Sequence, residues 1–406
     1  MADFYQTGLV PTIHGLNRDG LPHLEAELER IAKTRGIGLV LPALYSEFET
    51  PAMKGIMQEL RQVNYLRRIV LVLARAGERE YRKVQSLFAG FPTEVTIIWV
   101  DSDPVQNFFR YLEDNGLSAG VEGKGRSCWL AYGYLIAKGD CDVIALQDCD
   151  IRTYTRRMLA RLVYPLVMPK HRFEFAKGYY PRYTHKFNGR VTRLYLTPLV
   201  RSLYDCGINN LFLRYVDSFR YGLAGEFAMT TGLARQMRVP SDWGLEVSTL
   251  HEVYQRLAIM RTCQVDLTDC YDHKHQALSP EDPAKGLHRM AADIAKHLLR
   301  TLAAADTVLG DGTLKSLLAS YQRRAEDAAS SFYALAKFNG LTFPRHEEEM
   351  AIATFAGALK SGVDQFLADP LGAPLIPNWA RVLSAVPEAG DLLLEAVTSE
   401  GGILNG

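Results

Sequence analysis

Two aspartates, Asp148 and Asp150, follow a short apolar segment that runs from Val143 to Leu146. Ligands of open α/β sheets collect at the carboxyl ends of strands, so two carboxylates at such an end predict a binding site. Carboxylate oxygens are the ligands that Mg²⁺ and Mn²⁺ prefer, and these ions often bridge to a diphosphate. Acids of a solvated turn that cap a helix would give the same letters, and this alternative stays open.

Two glycine-containing segments have the composition of a phosphate site. In the first, Gly123 and Gly125 flank Lys124 at the predicted start of a helix, where backbone N–H groups and the helix dipole favour an anion. The second, N-G-R-V-T at residues 188–192, combines glycine backbone, a guanidinium fork and a hydroxyl before another predicted helix. The first segment is not a Walker motif, and a basic surface turn is the alternative for both.

Further acids and imidazoles lie near predicted turns and strand ends. Glu226 and Glu246 each lie just after a glycine turn, where glycine permits close approach of the backbone to a ligand, but an acid at a helix N-terminus gives the same pattern. His273 and His275 follow a predicted strand and offer imidazoles to a metal or a diphosphate. Side chains at i and i+2 of an extended segment point apart, so we expect at most one of the two to reach the site of Asp150.

The elements that must position these residues alternate between short β-rich segments and amphipathic stretches, which predicts a layered α/β fold. The predicted strands are 39–44, 69–73, 95–100, 143–146, 173–180 and 263–267. The predicted helices in this part of the chain are 51–64, 78–88, 126–138, 155–166 and 194–203.

The composition changes at residue 282, after which Ala, Leu, Lys and Glu occur with helical spacing. We predict helices over 288–304, 313–338 and 347–367. The predicted domains are therefore 1–281, with an N-terminal arm at 1–37, and a mostly helical C-terminal region at 282–406. We expect its helices to pack on the first domain or to pair with a second subunit as a homodimer, and the glycine-rich residues 401–406 to fray.

Charge and composition exclude several classes of partner. The 406 residues carry 46 Lys and Arg against 46 Asp and Glu, whereas nucleic acid and anionic membranes select a strongly basic face. No apolar run reaches the roughly 18 residues of a membrane span, and the first residues lack the basic and apolar regions of a signal peptide, so we expect neither a span nor a signal peptide. The six cysteines form no C-x-x-C pair, which suits reduced thiols, so we expect a cytoplasmic protein.

Taken in chain order, these segments resemble the glucosyl-3-phosphoglycerate synthases, which are retaining glycosyltransferases of the GT-A fold. The resemblance extends over roughly residues 38–280. It rests on P-A-L-Y-S-E at 42–47, G-K-G at 123–125, D-C-D at 148–150, G-R-V-T at 189–192, L-A-G-E at 223–226, D-W-G-L-E at 242–246 and H-K-H-Q-A-L at 273–278.

The resemblance implies a Rossmann-like domain that binds a nucleotide sugar, and a role for each segment. The implied donor contacts are Pro42, Ala43, Leu44, Glu47, Lys124 and Asp148. The acceptor phosphate is implied on Gly189, Arg190 and Thr192. A cofactor, Mg²⁺ or Mn²⁺, is implied on Asp150 and His273, with His273 preferred to His275. The carboxylates considered for catalysis are Asp148, Asp150, Glu226 and Glu246.

The implied reaction moves glucose from an NDP-glucose to the 2-hydroxyl of 3-phosphoglycerate. We favour front-side attack over a covalent glucosyl-enzyme intermediate. The alternatives are a mannosyl-3-phosphoglycerate or other sugar-glycerate synthase, a sugar-phosphate nucleotidyltransferase, and a sugar-nucleotide sensor without turnover. A phosphatase is disfavoured because Arg152 occupies the position of the threonine in a D-x-D-x-T pattern.

Overall fold

A computed structural model describes residues 8–404, apart from residues 171, 241–244, 275, 283 and 306. His275, residues 242–244 and residues 405–406, which were singled out from the sequence, therefore lie outside the described residues. Among the described helices, none offers the apolar length that crossing a bilayer requires.

The described strands form one sheet of nine strands. They are β1 (Thr12–Ile13), β2 (Ile37–Leu44), β3 (Arg68–Ala74), β4 (Glu94–Trp99), β5 (Val143–Leu146), β6 (Phe175–Tyr179), β7 (Phe227–Thr230), β8 (Thr262–Asp266) and β9 (Ile403–Leu404). Their order is β1-β8-β6-β7-β5-β2-β3-β4-β9. β2 runs parallel to both β3 and β5, whereas β7 is antiparallel to β5 and β6. The predicted strands are confirmed with small shifts at their ends, and β1, β7 and β9 were not predicted.

Helices cover both faces of this sheet. They are α1 (Leu21–Ala32), α2 (Pro51–Leu60), α3 (Glu78–Phe88), α4 (Asp103–Asp114), α5 (Lys124–Lys138), α6 (Arg156–Val167), α7 (Thr197–Asp205), α8 (Leu211–Asp217), α9 (Thr231–Gln236), α10 (Leu245–Arg256), α11 (Gly286–Ala304), α12 (Asp311–Phe338), α13 (Arg345–Ala368), α14 (Trp379–Ala385) and α15 (Ala389–Ser399). Short 3₁₀ helices span Tyr45–Glu49 and Ile259–Arg261, and a π-helical stretch spans Val191–Leu196.

Most predicted helices are confirmed, with two differences. The helix predicted at 51–64 ends at Leu60, because Val63 N–H donates to the Leu60 carbonyl and the chain leaves the helix in a tight turn. The helix predicted at 194–203 begins earlier, as the π-helical stretch, and continues without a break into α7.

Alternate residues of the central strands supply two hydrophobic clusters. Leu39 and Leu41 of β2 join the cluster on one face, and Val40 joins the cluster on the other. Strands buried on both faces are necessarily almost continuous apolar runs, as β2 and β3 are. The sheet is thereby held rigidly beneath the loops that follow its carboxyl ends.

The C-terminal helices pack on the sheet and share one of its hydrophobic clusters. Trp379 of α14 stacks on Trp129 of α5, with ring centroids 4.5 Å apart. Gly133 makes this possible, since a Cβ there would lie only 1.8 Å from the Trp379 ring. The expected fraying of the tail is wrong for residues 401–404, because β9 pairs with β4 and Ile97 N–H donates to the Gly402 carbonyl. The domain boundary at 281 and 282 stays a prediction.

Candidate active site

Asp148, Asp150 and His273 converge beyond the carboxyl end of β5. One ligand atom from each lies within 4.8 Å of the others, and His273 Nδ1 is 3.7 Å from Asp150 Oδ1. An antiparallel bridge between Ile151 and His273 holds the two distant segments side by side. Two carboxylates and an imidazole at this spacing suit a divalent cation such as Mn²⁺ or Mg²⁺.

Negative charge is concentrated around this cluster. Burial, as the main cause, and the neighbouring charge of Asp148, as the second, raise the pKa of Asp150 to about 7. Burial, followed by the charges of Asp150 and Asp148, also raises the pKa of Glu47 to about 7. Within the described structure, Glu47 Oε2 and Asp150 Oδ1 are buried without a hydrogen-bond partner. A cation between these groups would relieve both the repulsion and the missing contacts.

Lys124, the first residue of α5, adds a positive charge beside the cluster. Its Nζ lies 2.6 Å from Asp148 Oδ1 and 3.4 Å from Glu246 Oε1. Burial alone would raise the pKa of Asp148, but the Lys124 ammonium outweighs it and holds that pKa below its ordinary value. Gly125 lets α5 begin here, because a Cβ at this residue would lie 1.9 Å from the Pro240 carbonyl oxygen.

The L-A-G-E segment passes directly beneath Asp148. A Cβ at Gly225 would lie 2.3 Å from Asp148 Oδ2 and 2.9 Å from its Cγ. Only glycine at this position leaves the Asp148 carboxylate in contact with Lys124 and close to His273. Steric contact with Asp148 therefore explains why this position of the motif is a glycine.

Glu226, the acid of the same motif, is completely buried. The hydroxyl of Tyr180 donates to one carboxylate oxygen, and the hydroxyl of Tyr271 donates to the other at 2.8 Å. The two tyrosine rings stack with centroids 3.8 Å apart. Burial, followed by the charge of Asp148, raises the pKa of Glu226. Neither tyrosine was predicted, although the position of Tyr180 just beyond β6 is itself a signal of a site.

A second group of predicted residues lies on the loop before α7. Gly189 has a φ of +67°, in the left-handed region that favours glycine, and a Cβ there would lie 2.8 Å from the Tyr221 hydroxyl. The Arg182 guanidinium packs over the rings of Tyr221 and Tyr271, at 5.9 and 5.7 Å. The ring of Tyr271 in turn contacts that of His273, with centroids 5.4 Å apart. Packed aromatic side chains thus connect this loop to the cluster of Asp148, Asp150 and His273.

Three buried polar atoms of this loop have no hydrogen-bond partner among the described residues. They are Arg182 Nε, Asn188 Nδ2 and Thr192 Oγ1. Buried polar groups in native proteins are nearly always satisfied, so these atoms indicate a place for water or a polar ligand. Arg182 was not predicted, although its position shortly after β6 is again the carboxyl end of a strand.

Arg190, the basic residue of the G-R-V-T segment, contacts α13, a helix of the C-terminal region. Its Nε donates to Glu348 at 3.1 Å, and its Nη2 donates to Glu347 at 2.5 Å. Arg193 donates to the same Glu348 at 2.8 Å. No sequence pattern indicates that residues so far apart along the chain meet here.

The predicted site residues therefore form two groups. The first, around the divalent-cation cluster, consists of Glu47, Lys124, Asp148, Asp150, Glu226, Glu246 and His273. The second consists of Gly189, Arg190 and Thr192. Pro42, Ala43 and Leu44 lie in the last residues of β2, and Leu44 is solvent-exposed there.

Comparison with known proteins gives relatives that cover almost the whole chain, although no model of a protein family matches it. The glucosyl-3-phosphoglycerate synthase of Persephonella marina is 48% identical over 400 residues, which are 98% of this chain and 99% of the relative. The enzyme of the same name from Methanococcoides burtonii is 36% identical over 403 residues, covering 98% of each chain.

Similar solved structures are those of glucosyl-3-phosphoglycerate synthase from Mycobacterium tuberculosis. The complex with Mn²⁺, UDP-glucose and phosphoglyceric acid has a TM-score of 0.54 at 21% identity and covers 75% of this chain and 90% of that chain. The complex with Mg²⁺ and UDP has a TM-score of 0.52 at 20% identity, covering 75% and 89%. This likeness confirms the GT-A fold. Because relatives at 48% and 36% identity span nearly its full length, the chain belongs to the glucosyl-3-phosphoglycerate synthase family of glycosyltransferases.

Proposed function

We propose that the chain transfers glucose from an NDP-glucose, with UDP-glucose as the first donor to test, to the 2-hydroxyl of 3-phosphoglycerate with retention at the anomeric carbon. The convergence of Asp148, Asp150 and His273 is the observation that carries the proposal. The M. tuberculosis structures support it, because they hold Mn²⁺ or Mg²⁺ together with UDP or UDP-glucose.

The donor diphosphate is proposed to bind at this cluster. Asp150 and His273 would hold a divalent cation, with Asp148 beside them. When bound, the cation supplies Lewis-acid stabilisation of the charge that develops on the departing diphosphate. Lys124 supplies a second positive charge from the start of α5.

The rest of the donor is proposed to lie along the end of β2, on Pro42, Ala43, Leu44 and Glu47. Glu47 lies in the short 3₁₀ helix that follows β2, near the cation cluster: burial, and secondly the charges of Asp150 and Asp148, raise its pKa. The carboxyl end of a central parallel strand is also where ligands of such sheets bind.

The acceptor phosphate is proposed to bind on Gly189, Arg190 and Thr192. The guanidinium fork of Arg190 can donate two hydrogen bonds to one phosphate, which the ammonium of a lysine cannot reproduce. Thr192 Oγ1 and Asn188 Nδ2 are buried and lack partners among the described residues, so both have hydrogen bonds to offer a ligand.

Front-side attack is the proposed route of transfer. The bond between the anomeric carbon and the diphosphate oxygen breaks, the acceptor 2-oxygen bonds to that carbon, and the hydroxyl proton passes to the leaving oxygen. Glu226 is completely buried with both oxygens accepting tyrosine hydrogen bonds, and Glu246 is paired with Lys124, which favours the front-side route over attack by either carboxylate. A glucosyl-enzyme adduct in mass spectra of the donor complex would contradict this route.

The proposal is tested by incubating the protein with 3-phosphoglycerate, Mg²⁺ or Mn²⁺ and, in turn, UDP-glucose, GDP-glucose and GDP-mannose, and measuring NDP release. We expect release with a glucose donor, loss of release in Asp150→Asn, and wild-type release in the remote surface control Asp391→Asn. Preferred turnover of GDP-mannose indicates the mannosyl enzyme instead. Pyrophosphate release from a sugar phosphate and an NTP indicates a nucleotidyltransferase, and donor binding without any release indicates a sensor.

We also propose that the chain forms a homodimer in the cytoplasm. Leu335 and Phe338 of α12 lie three residues apart on one helix face and are 44% and 88% exposed, which offers an apolar contact surface. Free thiols at all six cysteines are consistent with a reducing compartment. Sedimentation velocity tests the dimer, and a monomer at every concentration would contradict it.

A further inference from the structure

Two adjacent glutamates at the start of α13, Glu347 and Glu348, contact the segment 186–193, which carries the proposed acceptor residues and is called the acceptor loop below. Glu348 pairs with Arg190 and Arg193, and Glu347 pairs with Arg190 and Lys186. The two carboxylates share Arg190, yet they differ in how strongly the protein holds them.

Glu348 is a fixed support. Its side chain is only 2% exposed, and that of Arg193 is 7% exposed. Arg193 donates to both Glu348 oxygens, and Arg190 Nε donates to one of them. Breaking a buried pair of this kind leaves a charge unpaired away from water, which is strongly destabilising. The position of the Arg190 guanidinium is therefore set by a contact that a ligand cannot easily displace.

Glu347 is held much more weakly. Its side chain is 49% exposed, and ion pairs in contact with solvent contribute little to stability. One of its oxygens, Oε2, accepts hydrogen bonds from Arg190 Nη2 at 2.5 Å and from Lys186 Nζ at 2.9 Å. A single anionic oxygen between a guanidinium and an ammonium is the contact that a phosphate oxygen makes in a binding site.

We infer that Glu347 is a displaceable stand-in for the anionic group of the acceptor. While the acceptor is absent, the Glu347 carboxylate pairs with Arg190 Nη2 and Lys186 Nζ. When the acceptor binds, its phosphate replaces the Glu347 carboxylate at both cations, whereas Glu348 keeps its contacts. The inference rests on the proposed acceptor role of Arg190. It adds Lys186 to that site and makes the start of α13 a determinant of acceptor affinity. A phosphate carries more negative charge than one carboxylate, so it displaces Glu347 from two cations.

Glu347→Gln tests the inference, with Glu349→Gln as the matched control. Glu349 lies two residues further along the same helix, and it pairs only with Arg345 among the described residues, away from the acceptor loop. Both variants remove one negative charge from an exposed side chain. We expect Glu347→Gln to lower the KM for 3-phosphoglycerate about two- to fivefold, the range of an exposed ion pair, and to leave the KM for the donor unchanged. Glu349→Gln should change neither.

Two further measurements separate this inference from the proposed function. Lys186→Met should raise the acceptor KM and leave the donor KM unchanged. Calorimetric titration with inorganic phosphate should show tighter binding to Glu347→Gln than to the wild type, even if no donor is turned over. An unchanged or weaker affinity of Glu347→Gln for both 3-phosphoglycerate and phosphate would overturn the inference. Absence of NDP release with every donor would overturn the proposed function instead.

Discussion

Replacing Gly225 with alanine tests the geometry of the divalent-cation cluster without removing any of its polar groups. The new Cβ would lie 2.3 Å from Asp148 Oδ2, where ordinary contact begins at about 3.4 Å, so the two must separate by about 1 Å. The carboxylate stands at the end of a short side chain that is 21% exposed, so it can rotate away while the backbone stays in place.

Moving the Asp148 carboxylate by about 1 Å should affect the stability of the fold little and the binding of a cation strongly. The free energy of unfolding should fall by about 1–2 kcal/mol, in the lower part of the range for overpacking. The contact between Lys124 Nζ and Asp148 Oδ1, now 2.6 Å, would exceed hydrogen-bond distance. Cation ligands tolerate errors of only about 0.2 Å. We therefore expect the affinity for Mn²⁺ and the rate of NDP release to fall about 10- to 100-fold, the usual cost of disturbing groups around a metal.

The assay combines calorimetric titration with Mn²⁺, initial rates of NDP release and urea unfolding. Gly232→Ala is the control, because it lies on α9 and a Cβ there meets nothing within 4 Å. It should leave all three measurements close to wild type. If Gly225→Ala binds Mn²⁺ and turns over like the wild type, Asp148 is not held against the L-A-G-E backbone as described.

Three other predictions concern the acceptor, pH and the C-terminal region. Arg190→Lys should raise the KM for 3-phosphoglycerate on the order of tenfold and leave the donor KM nearly unchanged, because a fork is replaced by a point charge; initial rates measure both, and equal weakening contradicts the assignment. Since burial and Asp148 raise the pKa of Asp150 to about 7, its proton competes with the cation, and Mn²⁺ affinity should fall as the pH drops from 8 to 6; calorimetry that finds constant affinity refutes this. Trp379→Ala should lower the free energy of unfolding by about 3–5 kcal/mol, because Trp379 is fully buried against Trp129. Urea unfolding measures this change. The control is Leu371→Ala, which removes an exposed side chain and should lower the free energy of unfolding very little.

Much of the site was predictable because its signals are local. An apolar strand followed by Asp148 and Asp150 places two acids at a sheet edge, whatever the rest of the chain does. A glycine pair around Lys124 at the start of α5 is likewise a property of a few consecutive residues. The imidazole was harder to assign, since strand geometry allows either histidine and only the resemblance favoured His273.

The unpredicted parts depend on residues that are far apart in the sequence. Tyr180 and Tyr271 satisfy Glu226 only because β6 and β8 run parallel in one sheet. Glu348 lies 155 residues from Arg193, and Glu347 lies 157 residues from Arg190. Helical spacing predicts α13, but it does not say which face meets which loop.

The amino-acid sequence by itself indicated six of the nine described strands, eight of the fifteen described helices, the chemical groups at the strand ends and the order of the family's segments, because each of these depends on neighbouring residues. Only the tertiary structure decided that Asp148, Asp150 and His273 share one site, that Gly225 must lack a side chain, and that α13 reaches Arg190. These are contacts made across the sheet and between its layers, and such contacts follow from packing rather than from local pattern.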